Sequence, residues 1–279
     1  MSQPLIPIKP DALRELFRNL KPIIAMIHLP PLPGSPRYTG ISVEEIIDYA
    51  LRDAEVLKSS EVDGLQVENI GDYPYLKPDD IGHETSAILA VVAREVRKAT
   101  GLPVGVCCLA NGVIPAIAAC LVSGGKWVRA AEWANAYIAD EGFIEAAAPK
   151  SMRYRSNLRA TDIKVFADVH VKHGSHFIIS DRHFEEQVAD VEFFDADAVI
   201  VSGSRTGAET PLDRVVRAKQ ATRLPVLIGS GLNPSNAESP LRVADGAIVG
   251  SYLRKDGKFW NPVDYSRLKE LMSVVKRLR

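Results

Sequence analysis

Short, mostly apolar runs alternate with longer amphipathic stretches along almost the whole chain. The runs are Ile23 to Leu29, Gly64 to Ile70, Pro103 to Leu109, Lys126 to Ala131, Ile163 to His170, Ala198 to Gly203, Pro225 to Gly231 and Gly246 to Ser251. Runs of this kind read as parallel strands buried on both faces, and the stretches between them as covering helices. Eight such units in succession, with no second region of different character, predict an α/β fold, a (β/α)8 TIM barrel, in preference to an open doubly wound sheet. Helix punctuation fits this phase. Ser42 with Glu45 forms a capping box, Thr210-Pro211 and Asn261-Pro262 offer a cap followed by proline at the first helical position, and Gly101 closes a helix. Residues 1–20 precede the first strand as an N-terminal extension, in which Asp11 to Leu20 carries leucine at 13, 16 and 20. That stripe predicts a helix closing the bottom of a single barrel domain spanning residues 21–279.

Polar residues inside these strands are the next signal. In the second strand Leu65 and Val67 alternate with Gln66 and Glu68, and in the fifth Ala167, Val169 and Val171 alternate with Phe166, Asp168, His170 and Lys172. Helices cover the outer wall, so the polar set points into the barrel and runs toward its catalytic mouth. Unpaired charges there cost several kcal/mol each, so Glu68 and Asp168 are expected to meet cations such as Arg129 and Lys172. Such a cluster suits acid–base or nucleophilic chemistry by Glu68, Asp168, Lys172 and His173, with His28, Asn69, Asn111, Arg129, Glu132 and His170 as substrate contacts. A purely structural buried network is the alternative.

The last quarter carries the most specific local pattern, PVLIGSGLNPSNA and then DGAIVGSYLRKDG. Small residues at strand ends let backbone N–H groups approach a phosphate, helped by an adjacent helix N-terminus, and the loops after strands seven and eight are the recurrent phosphate site of barrels. Gly229, Ser230, Gly231, Gly250 and Ser251 would form it, with Gly203, Thr206 and Gly207 of the sixth strand's SGSRTG closing a third side. Chain reversal alone is the competing explanation for these glycines.

Composition narrows the partners. A net charge of −1 with scattered basic residues gives no field to gather nucleic acid, and the most apolar stretch, Ile114 to Val122, is too short to span a bilayer. The start of the chain lacks a signal-peptide pattern, so a cytoplasmic protein with a phosphorylated small-molecule substrate is expected, and a homo-oligomer stays open. Cys107 and Cys108, adjacent in an apolar run, form neither a disulfide framework nor a metal knuckle. No cofactor is demanded. A single divalent ion on Glu68, Asp168, His170 and His28 is an alternative to histidine acting in acid–base or binding roles, although the first strand lacks the His-x-His pair of binuclear hydrolases. Prolines 30, 31, 33 and 36 stiffen the loop from His28 to Gly40 into a rim.

The phrases HLPPLPGSPRYTG, VDGLQVENIGDYPY, DEGFIE, ADVHVKHG, VSGSRTG, VLIGSG and DGAIVGSYLRKDG resemble, in order, the BtpA/SgcQ family of TIM barrels from about Ile23 to Leu268. The resemblance implies a barrel and two divergent activities: one branch is named for photosystem I biogenesis, another is described as nucleosidases linked to sugar uptake. It therefore implies either an enzyme on a phosphorylated sugar or nucleoside-like substrate, including aldolase or isomerase chemistry, or a non-enzymatic assembly factor. Where the family reads Asn-Val-Leu-Arg-Asn-Asp after strand three, this chain has Cys107 to Gly112, and the customary Val-Asn after Arg129 is Ala130-Ala131. The family's leucine between aspartate and lysine on strand five is His170, so substrate or activity is expected to differ from the main branch.

Overall fold

A computed structural model describes residues 9–279; residues 1–8, the start of the extension, lie outside the described residues. The strands are β1 (Ile23–His28), β2 (Gly64–Glu68), β3 (Val104–Cys107), β4 (Trp127–Ala130), β5 (Ala136–Ala139), β6 (Gly142–Glu145), β7 (Lys164–Val169), β8 (Gly174–Ser175), β9 (Ala198–Val201), β10 (Val226–Ile228) and β11 (Gly246–Val249). The helices are α1 (Ala12–Leu16), α2 (Val43–Ser59), α3 (His83–Thr100), α4 (Val113–Ser123), α5 (Ala148–Asn157), α6 (Phe184–Phe193), α7 (Leu212–Ala221), α8 (Glu238–Val243) and α9 (Tyr265–Lys276). Eight strands close in the order β1-β11-β10-β9-β7-β4-β3-β2, every neighbouring pair parallel. These are the eight runs read from sequence, each strand ending one to three residues before its run does. Among the described residues no helix is long and apolar enough to cross a membrane.

Outward-facing residues such as Ile23, Ala25, Leu65, Val67, Val165 and Val199 join the helices in one large apolar cluster. Inward-facing Ile24, Met26, Trp127, Phe166, Ile200 and Leu227 form a second one inside the lower barrel. Trp127 stacks on Phe166 with ring centres 5.5 Å apart and donates from Nε1 to Gln66 Oε1 at 3.0 Å. It lies over Gly105, where any Cβ would fall 2.1 Å from the indole, so only glycine fits beneath it. Helix α1 closes this end: Asp11 caps it by accepting from Leu13 and Arg14 N–H, and Leu13 and Phe17 bury against the inner cluster. The helix is shorter than the leucine stripe suggested, because the chain turns extended at Phe17 and leaves Leu20 on the surface.

Two cap expectations need correction. Pro211 is itself the N-cap of α7, and Thr210 Oγ1 donates to Ser230 O at 3.0 Å, tying the β9 and β10 loops together. Helix α9 starts at Tyr265 behind Asp264, while Asn261 donates to Lys255 O in the preceding loop. The Ser42–Glu45 box and the left-handed Gly101 cap are present.

Arg254, fully buried after β11, fastens the seam between the last and first units. Its guanidinium donates to Asp53 of α2 at 2.5 Å and to the carbonyl of Met26 in β1 at 3.1 Å. A small sheet in the order β6-β5-β8, built from the loops after β4 and β7, stands beside the barrel.

Candidate active site

Register sets the floor of the mouth. His28 pairs with Glu68, Glu68 with Cys107 and Cys107 with Arg129, so four inward side chains on adjacent strands share one level above the apolar layer. With Asp168 and Lys172 they line a cavity of about 520 Å³. The polar residues at this level are almost fully buried.

Asp168 is locked in place. Arg129 donates to it twice, Nε to Oδ2 at 2.7 Å and Nη2 to Oδ1 at 2.9 Å, and Ser202 Oγ adds a third bond at 2.9 Å. This bidentate geometry holds both charges in the interior. Glu68 differs from the expected ion pair: its nearest basic partner is His28, Nε2 to Oε1 at 3.9 Å, not Arg129 or Lys172. Burial, then Arg254, push the His28 pKa down to about 3, so the ring is neutral. Its Nδ1 lies 3.1 Å from the carbonyl of Phe259, which can only accept, so Nδ1 carries the proton and Nε2 turns a lone pair toward Glu68. The Cys107 thiol is pushed well above its ordinary pKa, by burial first and then by the Glu68 carboxylate, and is no thiolate nucleophile. Lys172 is half-buried; burial, then Arg129, lower its pKa to about 8. Its amine makes only a long 3.5 Å contact to Gly229 O.

Five expected substrate contacts or catalytic groups lie elsewhere or are engaged by the protein. His170 has φ +53°, which breaks the strand alternation and turns its ring out of the cavity onto His176, 3.9 Å between centres. Asn69 spends its amide on Asp72 and on the backbone of Leu109, and Asn111 on both backbone groups of Glu132, so each braces loops behind the wall. His173 lines the cavity, but its Nε2 accepts from Thr206 N–H at 2.9 Å and so joins the loops after β7 and β9. Glu132 is buried outside the cavity lining with Oε2 unpartnered; burial, then Asp168, raise its pKa to about 8. The divalent-ion set also comes apart, with His170 turned away and Asp168 committed to Arg129. Among the described residues no three His, Cys, Asp or Glu side chains stand together as a metal site.

The phosphate loops are partly as expected. Gly229 N–H donates to Val201 O, Gly203 N–H to Ser230 Oγ and Thr206 N–H to His173, so these three donors are used. Gly203 is not part of the cavity wall. Gly207, Ser230, Gly231, Gly250 and Ser251 line the mouth, and their N–H groups find no acceptor among the described residues. Gly231, at φ +74°, would drive a Cβ to 2.3 Å from Ala208 O. Helix α8 begins only at Glu238, so the cradle consists of loop N–H groups and not of a helix end.

Tyr75, Tyr137, Asp140 and Glu141 also line the mouth and were not singled out from sequence. Tyr137 belongs to β5, and Asp140, Glu141 and Gly142 at φ +96° make the turn into β6. The available signal was DEG between two short alternating runs, a hairpin pattern.

Residues 19–277 match the BtpA family. The chain belongs to the BtpA family. Within it, an uncharacterized protein of Pyrococcus horikoshii is 40% identical over 262 residues, covering 94% of this chain and 98% of the relative. The Photosystem I biogenesis protein BtpA of Synechocystis is 32% identical over 263 residues, covering 94% and 90%. Among solved structures, (S)-3-O-geranylgeranylglyceryl phosphate synthase of Thermoplasma acidophilum, in complex with sn-glycerol-1-phosphate, superposes with a TM-score of 0.56 at 14% identity. It covers 95% of this chain and 97% of its own, a likeness of fold alone. The fold that the chain shares with that structure is a TIM barrel.

Proposed function

We propose that the chain is a cytoplasmic enzyme acting on a small phosphorylated sugar or nucleoside-like substrate, by nucleosidase-type hydrolysis of a carbon–nitrogen bond. One observation carries the reading: loop residues on the β10 and β11 side, whose N–H groups find no acceptor among the described residues, line the same cavity as the buried Glu68, which has no Lys or Arg within ion-pair distance. The phosphate accepts from Ser230, Gly231, Gly250 and Ser251, and the sugar lies over the floor. Glu68 takes a proton from water as its oxygen attacks the anomeric carbon. Asp168, fixed by hydrogen bonds from Arg129 and Ser202, offsets the positive charge growing on the sugar ring. The departing nitrogen takes its proton from the Lys172 ammonium, whose pKa near 8 suits a donor at neutral pH. The phosphorylated ligand of the geranylgeranylglyceryl phosphate synthase barrel supports the phosphate end of this reading.

The lowered pKa of Lys172 favours a second reading, aldolase or isomerase chemistry through a Schiff base to a phosphorylated carbonyl compound. Borohydride added during incubation with pentose and triose phosphates separates the two. Release of free base from nucleoside 5′-phosphates, lost in Glu68→Gln, with no mass added to Lys172, is the expected result. A reduced adduct on Lys172 assigns the second reading instead. The assembly role in the cyanobacterial relative's name would leave both assays silent.

A further inference from the structure

The charged side chains that line the mouth are unevenly matched. Arg129 and Asp168 offset one another, and His28 beside Glu68 is neutral. Glu68, Asp140 and Glu141 then have no Lys or Arg within ion-pair distance among the described residues, and Lys172 and Arg267 have no carboxylate within that distance. The two sets belong to different parts of the barrel. The carboxylates come from β2 and from the turn between β5 and β6, in the connection after β4. Both cations meet the loops of the phosphate side, Lys172 at Gly229 O after β10 and Arg267 at Tyr252 O after β11. Uncompensated carboxylates in a shared cavity repel a phosphate, and a cation beside its seat offsets that repulsion. Lys172 already serves as proton donor in the proposed reaction, which leaves Arg267 as the free counter-charge.

The fold holds Arg267 next to the cradle. It is the third residue of α9, half-buried, and its Nε donates to Tyr252 O at 2.7 Å with the guanidinium 4.4 Å from the centre of the Tyr252 ring. Tyr252 directly follows Ser251, so the anchoring carbonyl lies one residue beyond the last N–H of the cradle. The loop after β9 converges on the same point, where a Cβ on Gly207 would lie 3.8 Å from the Ser251 side chain. Asp264 and Glu270, the acidic side chains at this end of α9, are engaged otherwise: Asp264 accepts from the Ser266 and Arg267 N–H groups and Glu270 from the Tyr252 hydroxyl. Nη1 and Nη2 find no acceptor among the described residues. A guanidinium tied to the backbone by one edge, with its other donors unused, is pre-organised for a two-pronged bond to phosphate.

We infer that Arg267 binds the substrate phosphate through Nη1 and Nη2, adding a charged side chain to the backbone cradle, and that the ligand is a terminal phosphate monoester dianion. This rests on the phosphate reading of the preceding section. Titration calorimetry of the purified full chain with inorganic phosphate and ribose 5-phosphate tests it. Arg267→Met should weaken both ligands about 10-fold or more, and Arg267→Lys, which keeps the charge and loses the fork, should weaken them less. A measurement on wild type separates direct contact from loss of loop order and decides the matter should the variants not fold. Phenylglyoxal, which adds to guanidinium groups, should modify Arg267 several-fold more slowly in saturating phosphate, read by peptide mass spectrometry, while the exposed Arg52 and Arg94 react at unchanged rates. Wild-type affinity in Arg267→Met, or no protection of Arg267 in the phosphate-loaded chain, would overturn the assignment, leave the phosphate reading standing and make the arginine a brace for Tyr252. No binding of either ligand to wild type would overturn both.

Discussion

The lower and upper halves of the barrel interior are made by the same strands, two residues apart, and do opposite things. Met26 lies below His28, Gln66 below Glu68, Trp127 below Arg129 and Phe166 below Asp168. The lower set interdigitates with Leu13 of α1 and with Phe17 just after it, and leaves room only where glycine permits. The upper set surrounds a cavity and includes a carboxylate facing an imidazole lone pair. A rise of about 6.6 Å along each strand thus separates packing that stabilises from chemistry that costs stability.

Trp127→Ala tests the lower half most severely. It empties the largest side chain of the inner layer and should cost about 3 to 5 kcal/mol in urea unfolding, with phosphate affinity of the folded protein unchanged. A loss below about 1 kcal/mol would mean that the lower layer is not where stability resides. In the upper half, Asp168→Asn leaves Arg129 buried against a neutral amide and should cost about 3 kcal/mol, the lower end for breaking a buried pair. The double variant Arg129→Met/Asp168→Asn should recover part of that loss, and failure to do so would show that the pair is not the source.

Glu132→Gln should act in the other direction. The carboxyl is buried with one oxygen unpartnered and its pKa lies near 8, above the ordinary 4.5. Between those values the folded chain binds more protons than the unfolded one, so this group's contribution is full below about pH 4.5 and is lost as pH rises toward 8. Glutamine removes that loss and should stabilise by about 1 to 3 kcal/mol at pH 8 and by less at pH 5. Equal gains at both values would assign the effect to packing. Smallest in stability is Glu68→Gln, which should stay within about 0.5 kcal/mol of wild type yet abolish turnover, drawing the line between the halves at a single residue.

The eight strands were legible because strands buried on both faces carry unbroken apolar runs, and the floor was legible because inward alternation marks Glu68 and Asp168, whose burial calls for a cation such as Arg129. What the alternation could not show is where it stops. His170 continues the odd–even pattern in sequence, but a left-handed backbone ends the strand one residue earlier and sends the ring backward. Asn69 and Asn111 carry the same amide that binds a substrate; only three-dimensional neighbours show the amides already engaged by Asp72, Leu109 and Glu132. Cation partnership was misassigned for a similar reason, since one Arg reaches one carboxylate bidentately and leaves Glu68 to histidine. The β5–β6 hairpin escaped notice because its half-exposed residues lack the apolar density of the barrel strands.

The Arg254 clasp has a bearing on how the chain is made. Its partner carbonyl on Met26 is 228 residues earlier, and β1 has no other neighbour on that side than β11. At ribosomal rates of about 5 to 20 residues per second, the first strand is kept waiting roughly 10 to 45 seconds for the last. Throughout that interval the nascent chain carries an open edge at Ile23 to Ala25, a template for mispairing with other chains. That delay before the edge is covered is imposed by the barrel's own closure, independent of anything its mouth binds.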